Sequence, residues 1–160
     1  MEFKFTTENQ EKIKDILKKY PTKKAAVMPV LYLGQEQNGW ISKEVMIEIA
    51  SVLEITEEEV FGVVTFYTMF FEKPMGKNHL QVCTNVSCML RGGYEIYQQV
   101  KEKLGIDNME VTEDQKFSLE EVECMGSCGT APMMAVNEDY FEDLTAEKVN
   151  EIIESLKEKN

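Results

Sequence analysis

The chain has 160 residues, of which 43% are hydrophobic and 29% charged, a balance typical of one or two folded domains rather than of a disordered protein. Acidic residues outnumber basic ones by 29 to 17, so the formal net charge is -12 at pH 7. Such a polyanion gains nothing from releasing counterions off phosphates, which argues against nucleic acid and anionic membranes as partners and favours a basic protein surface.

The first residues carry no recognisable targeting signal. Residues 1–7 lack the apolar core of a signal peptide. The longest apolar stretch, residues 25–33, is interrupted by Pro29 and is too short to span a bilayer. We therefore expect a soluble, cytoplasmic protein without membrane insertion. Its four cysteines should stay reduced there, and their even number suggests that they act as one set.

Two helices are predicted before residue 40. Thr7 and Gln10 fit a capping box for the first helix, and Pro21 ends it. The second helix runs from about residue 23 to 37 and ends at Gly39. It is apolar almost all round near Pro29, a pattern typical of a buried helix, and the proline predicts a kink.

Two more helices follow before residue 70. Ser42 is placed to cap the third, and Thr56 with Glu59 forms a capping box for the fourth. Four short helices with short connections predict a helical bundle. We place this N-terminal domain at residues 1–72.

The pattern changes in the remaining residues, 73–160, which we predict to form a second domain. Its predicted elements are, in chain order, a strand at 79–83, a helix at 88–104, strands at 117–124, 133–136 and 140–141, and a helix at 146–157. Helices packed on a small sheet, preceded by a helical domain, make the expected fold class α+β.

The four cysteines form two short-range pairs, each after a predicted strand. Four residues separate Cys83 from Cys88, three separate Cys124 from Cys128, and 35 lie between the pairs. Loops at the same end of neighbouring strands can converge, so the four thiolates are candidate ligands of one metal centre.

The spacing of the cysteines excludes some kinds of metal centre but does not decide between the others. The tight run of cysteines that holds a cubane cluster is missing, and a Rieske centre needs two histidines where the chain has one. Two separated pairs suit a 2Fe–2S cluster, with one pair for each iron. Structural zinc remains the main alternative, although its usual C-x2-C spacing does not occur here. Two disulfides are disfavoured by the expected reducing compartment.

The residues around the cysteines resemble a known family. The stretches CTNVSCMLRGG at 83–93 and VECMGSCGTAPM at 122–133 are similar to the two signatures of the small 2Fe–2S subunit of NADH:quinone oxidoreductase, respiratory complex I. The stretches PVLYLGQEQNGW at 29–40, VTFYTMF at 64–70 and YFEDLT at 140–145 resemble other blocks of that family. The resemblance covers nearly the whole chain.

The resemblance implies both a fold and a site. It implies a helical N-terminal domain that binds a partner, followed by a thioredoxin-like ferredoxin domain. It also implies a 2Fe–2S cluster on Cys83, Cys88, Cys124 and Cys128. The implied partner is a larger flavoprotein subunit that binds FMN and NADH. This chain itself has no glycine-rich dinucleotide fingerprint.

The function implied by the resemblance is electron transfer. The chain would be a non-catalytic subunit of the NADH dehydrogenase module, exchanging single electrons with FMN on its partner. It would lie in the cytoplasm, peripheral to the inner membrane, within a larger complex. The alternatives are the homologous subunit of an NAD-linked hydrogenase or formate dehydrogenase, and a zinc-stabilised binding module without a redox role.

Three residues outside the cysteine set have more than one interpretation. We expect His79 to be half in solvent at the start of a strand, the alternative being a group that tunes the cluster. Arg91 is expected to compensate cluster charge, to dock a partner or to lie on the surface. Pro132 occupies the place of the cis-proline of thioredoxin-like folds, but trans is the default even before proline, so the sequence leaves this bond undecided.

Overall fold

The computed structural model describes residues 2–158, which divide into two compact units with the boundary between Pro74 and Met75. The first unit is helical and the second combines helices with a sheet, so the fold class is α+β, as expected. Within the described range, no helix combines the length and the apolar character that crossing a bilayer requires.

The first unit is built from helices joined by short connections. Its described residues form α1 (Thr7–Leu17), α2 (Val27–Asn38), α3 (Lys43–Leu53) and α4 (Glu57–Phe66), with a 3-10 turn, Lys24–Ala26, ahead of α2. Their apolar faces meet in one core whose most buried members include Val30, Leu31, Ile49, Leu53 and Val60.

Most of the predicted caps of this unit are confirmed. The Ser42 hydroxyl accepts the amide of Val45 at the start of α3, and Thr56 with Glu59 forms the complete capping box of α4. The cap of α1 is a correction, because Thr6 accepts the amide of Asn9 and Thr7 is already helical. Thr6 and Thr7 have the same side chain, so either could cap the helix, and the backbone conformation at Thr6 makes that residue the cap.

The second helix begins later than the sequence predicts. Pro29 is the third residue of α2, where a missing amide costs no intrahelical hydrogen bond. The predicted range from about residue 23 begins with the 3-10 turn, and α2 follows it from Val27. The kink at Pro29 stays a prediction. The helix ends as predicted, with Gly39 in the left-handed conformation at φ 85°.

The second unit is a mixed sheet with helices. Its described elements are β1 (Asn78–Cys83), α5 (Val86–Leu90), α6 (Gly93–Leu104), β2 (Glu110–Val111), β3 (Phe117–Val122), β4 (Met134–Val136), β5 (Asp139–Phe141) and α7 (Ala146–Glu158). The strand order is β2-β3-β1-β4-β5. Only the central β1–β3 pairing is parallel; the other three pairings are antiparallel.

One face of this sheet carries the core of the unit. The alternating strand residues Leu80, Val82 and Leu119 are fully buried there, as the two-residue period of a strand requires. They pack with Val100 of α6 and Ile153 of α7. The opposite face bears His79, Gln81 and Cys83 from β1. Cys83, at the end of this strand, is the first of the four cysteines.

Two elements of this unit differ from the sequence prediction, and the structure decides one peptide bond that the sequence left open. The helix predicted over residues 88–104 is broken into α5 and α6, because Gly92 adopts the left-handed conformation at φ 92°. The two-residue edge strand β2 has no counterpart among the predicted elements. The peptide bond between Ala131 and Pro132, which the sequence leaves undecided, is cis.

Candidate metal centre

The two cysteine loops leave adjacent parallel strands. Cys83 is the last residue of β1 and pairs with Val122, the last residue of β3. Cys124 follows two residues later. Because β1 and β3 run parallel, both loops begin at the same end of the sheet. The expectation that the two loops start side by side is therefore confirmed.

The first cysteine pair is buried. Cys83 and Cys88 are 3% and 2% exposed, and they contact each other. The Cys83 thiol also donates to the carbonyl of Glu123 at 3.6 Å. Burial, together with the neighbouring Cys83, raises the pKa of Cys88 to about 11. A negative charge on Cys128 would act on Cys88 in the same direction.

A glycine allows the first loop to close tightly. Gly93 begins α6 directly against the cysteines, and a Cβ atom there would lie 2.9 Å from the carbonyl oxygen of Cys83. It would also lie 2.9 Å from the carbonyl carbon and oxygen of Cys88. Real Cβ atoms do not come this close to backbone. The absence of a side chain at Gly93 is therefore what lets α6 approach both cysteines.

The second cysteine pair lies in an exposed loop. Both Cys124 and Cys128 are exposed, and Cys128 begins a 3-10 turn that ends at Thr130. Between them, Gly126 takes the left-handed conformation at φ 80°. Its amide nitrogen lies 3.4 Å from Cys124 Sγ, a backbone donor of the kind that sulfur ligands accept.

Polar side chains from the β5 region hold this second loop. The hydroxyls of Ser127 and Thr130 both donate to the carboxylate of Glu142, and these bonds lower the pKa of Glu142. The Tyr140 hydroxyl donates to the carbonyl of Met125 at 3.0 Å. The sequence does not mark Glu142 or Tyr140 as site residues, because contacts across 12 or more residues leave no local pattern.

Arg91 connects the two cysteine loops. It follows α5, and its Nη1 donates to the carbonyl oxygen of Ala131 at 3.2 Å and, more weakly, to that of Gly129 at 3.5 Å. The positively charged guanidinium of Arg91, a residue of the first loop region, thus lies against the backbone of the second loop. Compensation of cluster charge by Arg91 stays a prediction.

His79 is more buried than the sequence predicts. It is only 4% exposed, not half in solvent. Its Nδ1 lies 2.8 Å from Ser118 Oγ, and its Nε2 lies 2.9 Å from Glu120 Oε2, which also accepts from Gln81. Burial raises the pKa of Glu120, but the hydrogen bonds with His79 and Gln81 outweigh it, so this pKa is lowered.

The chemistry of the donors fits a thiolate-bound centre. All four cysteines are free rather than disulfide-bonded. Thiolates are the ligands of iron–sulfur clusters and of many zinc sites. Across residues 2–158, no group of three or more His, Cys, Asp or Glu side chains has an arrangement that could hold a metal ion. Three observations support a thiolate-bound centre: the four free sulfur donors, the Gly126 amide near Cys124 Sγ, and the close approach of Gly93 to the first cysteine pair.

The mixed sheet, its helices and the four free cysteines define a small α+β protein with a thiol-rich site. The family model described as "Thioredoxin-like [2Fe-2S] ferredoxin" matches residues 13–157. The chain therefore belongs to this family, and the cofactor that the family implies is a 2Fe–2S cluster. The resemblance drawn from the cysteine blocks is confirmed.

Curated relatives are similar in sequence to nearly the whole chain. A subunit of the NADH-quinone oxidoreductase of Rickettsia bellii is 49% identical over 158 residues, covering 97% of this chain and 95% of the relative. "NADH dehydrogenase [ubiquinone] flavoprotein 2, mitochondrial" of Dictyostelium discoideum is 45% identical over 158 residues. That match also covers 97% of this chain, but 64% of the longer relative.

A solved structure supports the fold. A chain of an NAD+-reducing [NiFe]-hydrogenase in the H2-reduced state superimposes with a TM-score of 0.71 at 17% sequence identity. The match covers 82% of this chain and 22% of the hydrogenase chain, so the present chain spans about a fifth of its length. At this identity, the likeness concerns the fold alone.

Proposed function

We propose that Cys83, Cys88, Cys124 and Cys128 together hold one 2Fe–2S cluster. The observation that carries this proposal is the start of both cysteine loops at the same end of the adjacent parallel strands β1 and β3. The chain has no further cysteines, and all four are free. The family supplies the kind of cluster.

The surrounding residues define what the protein contributes to this centre. A 2Fe–2S cluster supplies one-electron transfer, and the protein sets its potential through ligands, hydrogen bonds and burial. Cys83 and Cys88 would hold one iron in a buried setting. The Gly126 amide donates towards sulfur, and Arg91 brings a positive charge to the second loop. Both features stabilise an electron-rich site.

We further propose that the chain is an electron-carrying, non-catalytic subunit of the NADH dehydrogenase module of NADH:quinone oxidoreductase. It would exchange single electrons with FMN on a flavoprotein partner that binds NADH, in the cytoplasm and peripheral to the inner membrane. The names of its relatives support this role. The net charge of -12 favours a partner with a basic docking surface.

We propose separate roles for the two parts of the chain. Residues 1–72 would be a helical bundle that binds the partner, and residues 73–160 the thioredoxin-like ferredoxin domain. The four helices of the first unit support this division. So does the exposure of large apolar side chains on α4, where Phe61 is 50% and Phe66 77% exposed.

The cluster proposal is tested on protein purified without oxygen from iron-supplied cells. We expect about two irons and two labile sulfides per chain, a reddish-brown colour and an EPR signal after reduction. Cys124→Ser with Cys128→Ser should remove both irons, since each pair would ligate one iron of a single cluster. Ser87→Ala, a hydroxyl change within the first loop, is the matched control and should keep the cluster. A colourless protein with stoichiometric zinc would support the zinc-stabilised module instead.

The partner proposal is tested by co-purification of the full chain from its own cells. We expect the flavin-containing, NADH-binding subunit of the quinone oxidoreductase to accompany it. Hydrogenase or formate dehydrogenase subunits in its place would assign the chain to those complexes. Phe61→Ser with Phe66→Ser should weaken the complex while the cluster spectrum stays unchanged. Undiminished binding of that variant would show that α4 is not part of the docking surface.

A further inference from the structure

The carboxylate of Glu142 is held against the second cysteine loop by two hydroxyls. Ser127, which lies between Cys124 and Cys128, donates its hydroxyl proton to Glu142, and Thr130 does the same. The two hydroxyl oxygens also lie 2.7 Å from each other. Each hydroxyl has a single proton, so a hydroxyl bonded to Glu142 has none left for a sulfur. The loop therefore presents its backbone rather than its Ser127 hydroxyl to the thiolates.

Backbone bonds next to Glu142 fix the same contact from both sides. The amide of Asp143 donates to the carbonyl of Thr130 at 2.8 Å, and the amide of Leu144 donates to that of Pro132 at 3.0 Å. On the other side, the Tyr140 hydroxyl reaches Met125. Residues 140–144 thus form a brace along the loop, with the carboxylate of Glu142 at its centre.

We propose that Glu142 is a positioning residue that fixes the second cysteine loop and keeps the reduction potential of the cluster low. This inference rests on the proposed ligand role of Cys124 and Cys128. Two effects act in the same direction. A nearby negative charge opposes the addition of an electron, and the captured Ser127 hydroxyl cannot stabilise the reduced sulfurs by donating to them.

The size of the charge effect follows from covalent geometry. Ser127 is bonded to Cys128, so the carboxylate of Glu142 lies within about 12 Å of that sulfur. Glu142 is exposed, and water and salt therefore weaken its field. Removing the charge should raise the ratio of reduced to oxidised cluster, at a fixed applied potential, by about threefold, equivalent to about 30 mV for one electron.

The test compares midpoint potentials of full-length variants by EPR-monitored redox titration. Glu142→Gln keeps an acceptor for both hydroxyls and should raise the ratio about threefold. Glu142→Ala also removes the carboxylate acceptor and leaves the Ser127 hydroxyl with Thr130 Oγ1, 2.7 Å away, as its one remaining side-chain contact. A Ser127 proton that turns to sulfur makes the rise larger than in Glu142→Gln, and adding Ser127→Ala should remove the extra part. Glu138→Gln removes one charge from the neighbouring β4–β5 turn and is the matched control, with no shift expected.

Iron content and the EPR spectrum distinguish the possible failures. A wild-type chain without a 2Fe–2S cluster would refute the proposed function. Intact clusters with unchanged potentials in both Glu142 variants would overturn this inference and leave the function standing. If the Glu142 variants lose the cluster, the single variant Ser127→Ala still tests whether the Ser127 hydroxyl donates to sulfur. We expect it to leave the potential unchanged, and a clear fall would show that this hydroxyl donates to sulfur, against the proposal.

Discussion

Gly93 provides the sharpest test of how the cysteine site is packed. In Gly93→Ala, the new Cβ would meet the carbonyl groups of Cys83 and Cys88 at 2.9 Å. These are backbone atoms at the end of β1 and within α5, so they cannot move aside as a flexible side chain would. The strain therefore acts directly on the two buried cysteines.

The expected magnitude is a balance of two opposite effects. Overpacking in a tight site costs about 1–3 kcal/mol. Alanine is better than glycine by about 1 kcal/mol in a helix interior. Gly93 is the first residue of α6, so this gain is smaller there and offsets only part of the cost. We expect a net loss of about 1 kcal/mol, which lowers the melting temperature of a unit of this size by roughly 4–8 °C. Iron content should fall as well, because both strained residues are proposed ligands.

Gly62→Ala is the matched control, since Gly62 is also helical but has no atom within 4 Å of the place that a Cβ would occupy. There, only the helix preference acts, and the chain should gain up to about 1 kcal/mol. Thermal unfolding followed by circular dichroism and by cluster absorbance checks both variants. If Gly93→Ala binds the full complement of iron and melts at or above the wild-type temperature, the close approach does not require glycine.

Two further predictions concern burial and charge in the second unit. After removal of iron by a chelator, a limiting amount of alkylating reagent should modify the exposed Cys124 and Cys128 before the buried Cys83 and Cys88, as peptide mass spectrometry would show; equal labelling of all four would contradict the burial. The lowered pKa of Glu120 means that its carboxylate stabilises the fold above the unfolded pKa of about 4.3, and that this contribution is lost as the pH falls through the folded value. In urea unfolding, Glu120→Gln should therefore be less stable than wild type at neutral pH, with the difference shrinking below about pH 4; a constant difference would argue against the hydrogen-bonded carboxylate.

Helix ends were predictable because their signals are local. The Thr56–Glu59 box and the Ser42 cap each satisfy amides within three residues, so the sequence carries the whole interaction. The error at Thr7 is of one residue and arises because Thr6 offers the same chemistry. Gly92 is unfavourable within a helix on any reading of the sequence, but only the tertiary structure shows that it divides α5 from α6.

The burial of His79 and the long-range contacts of Arg91 could not be predicted from the sequence. His79 lies near the start of β1 among polar neighbours, and nothing local indicates that Ser118 and Glu120 of β3 will cover its ring. Arg91 contacts carbonyl groups about 40 residues away. Such contacts depend on which strands pair, and strand order is not encoded in hydrophobic periodicity.

The two halves of the site are stabilised by different means, and this difference separates the effects of two substitutions. The first cysteine pair is fixed by burial and by the close approach of Gly93, so a change there acts on packing and should appear as lost iron and lost stability. The second pair is exposed and is braced by polar groups around Glu142. Exposed polar contacts contribute little to stability, but a charge among them still acts on a redox centre. Gly93→Ala should therefore change occupancy and Glu142→Gln should change potential. A potential shift without iron loss in the first variant, or the reverse in the second, would show that the two loops are not held in these separate ways.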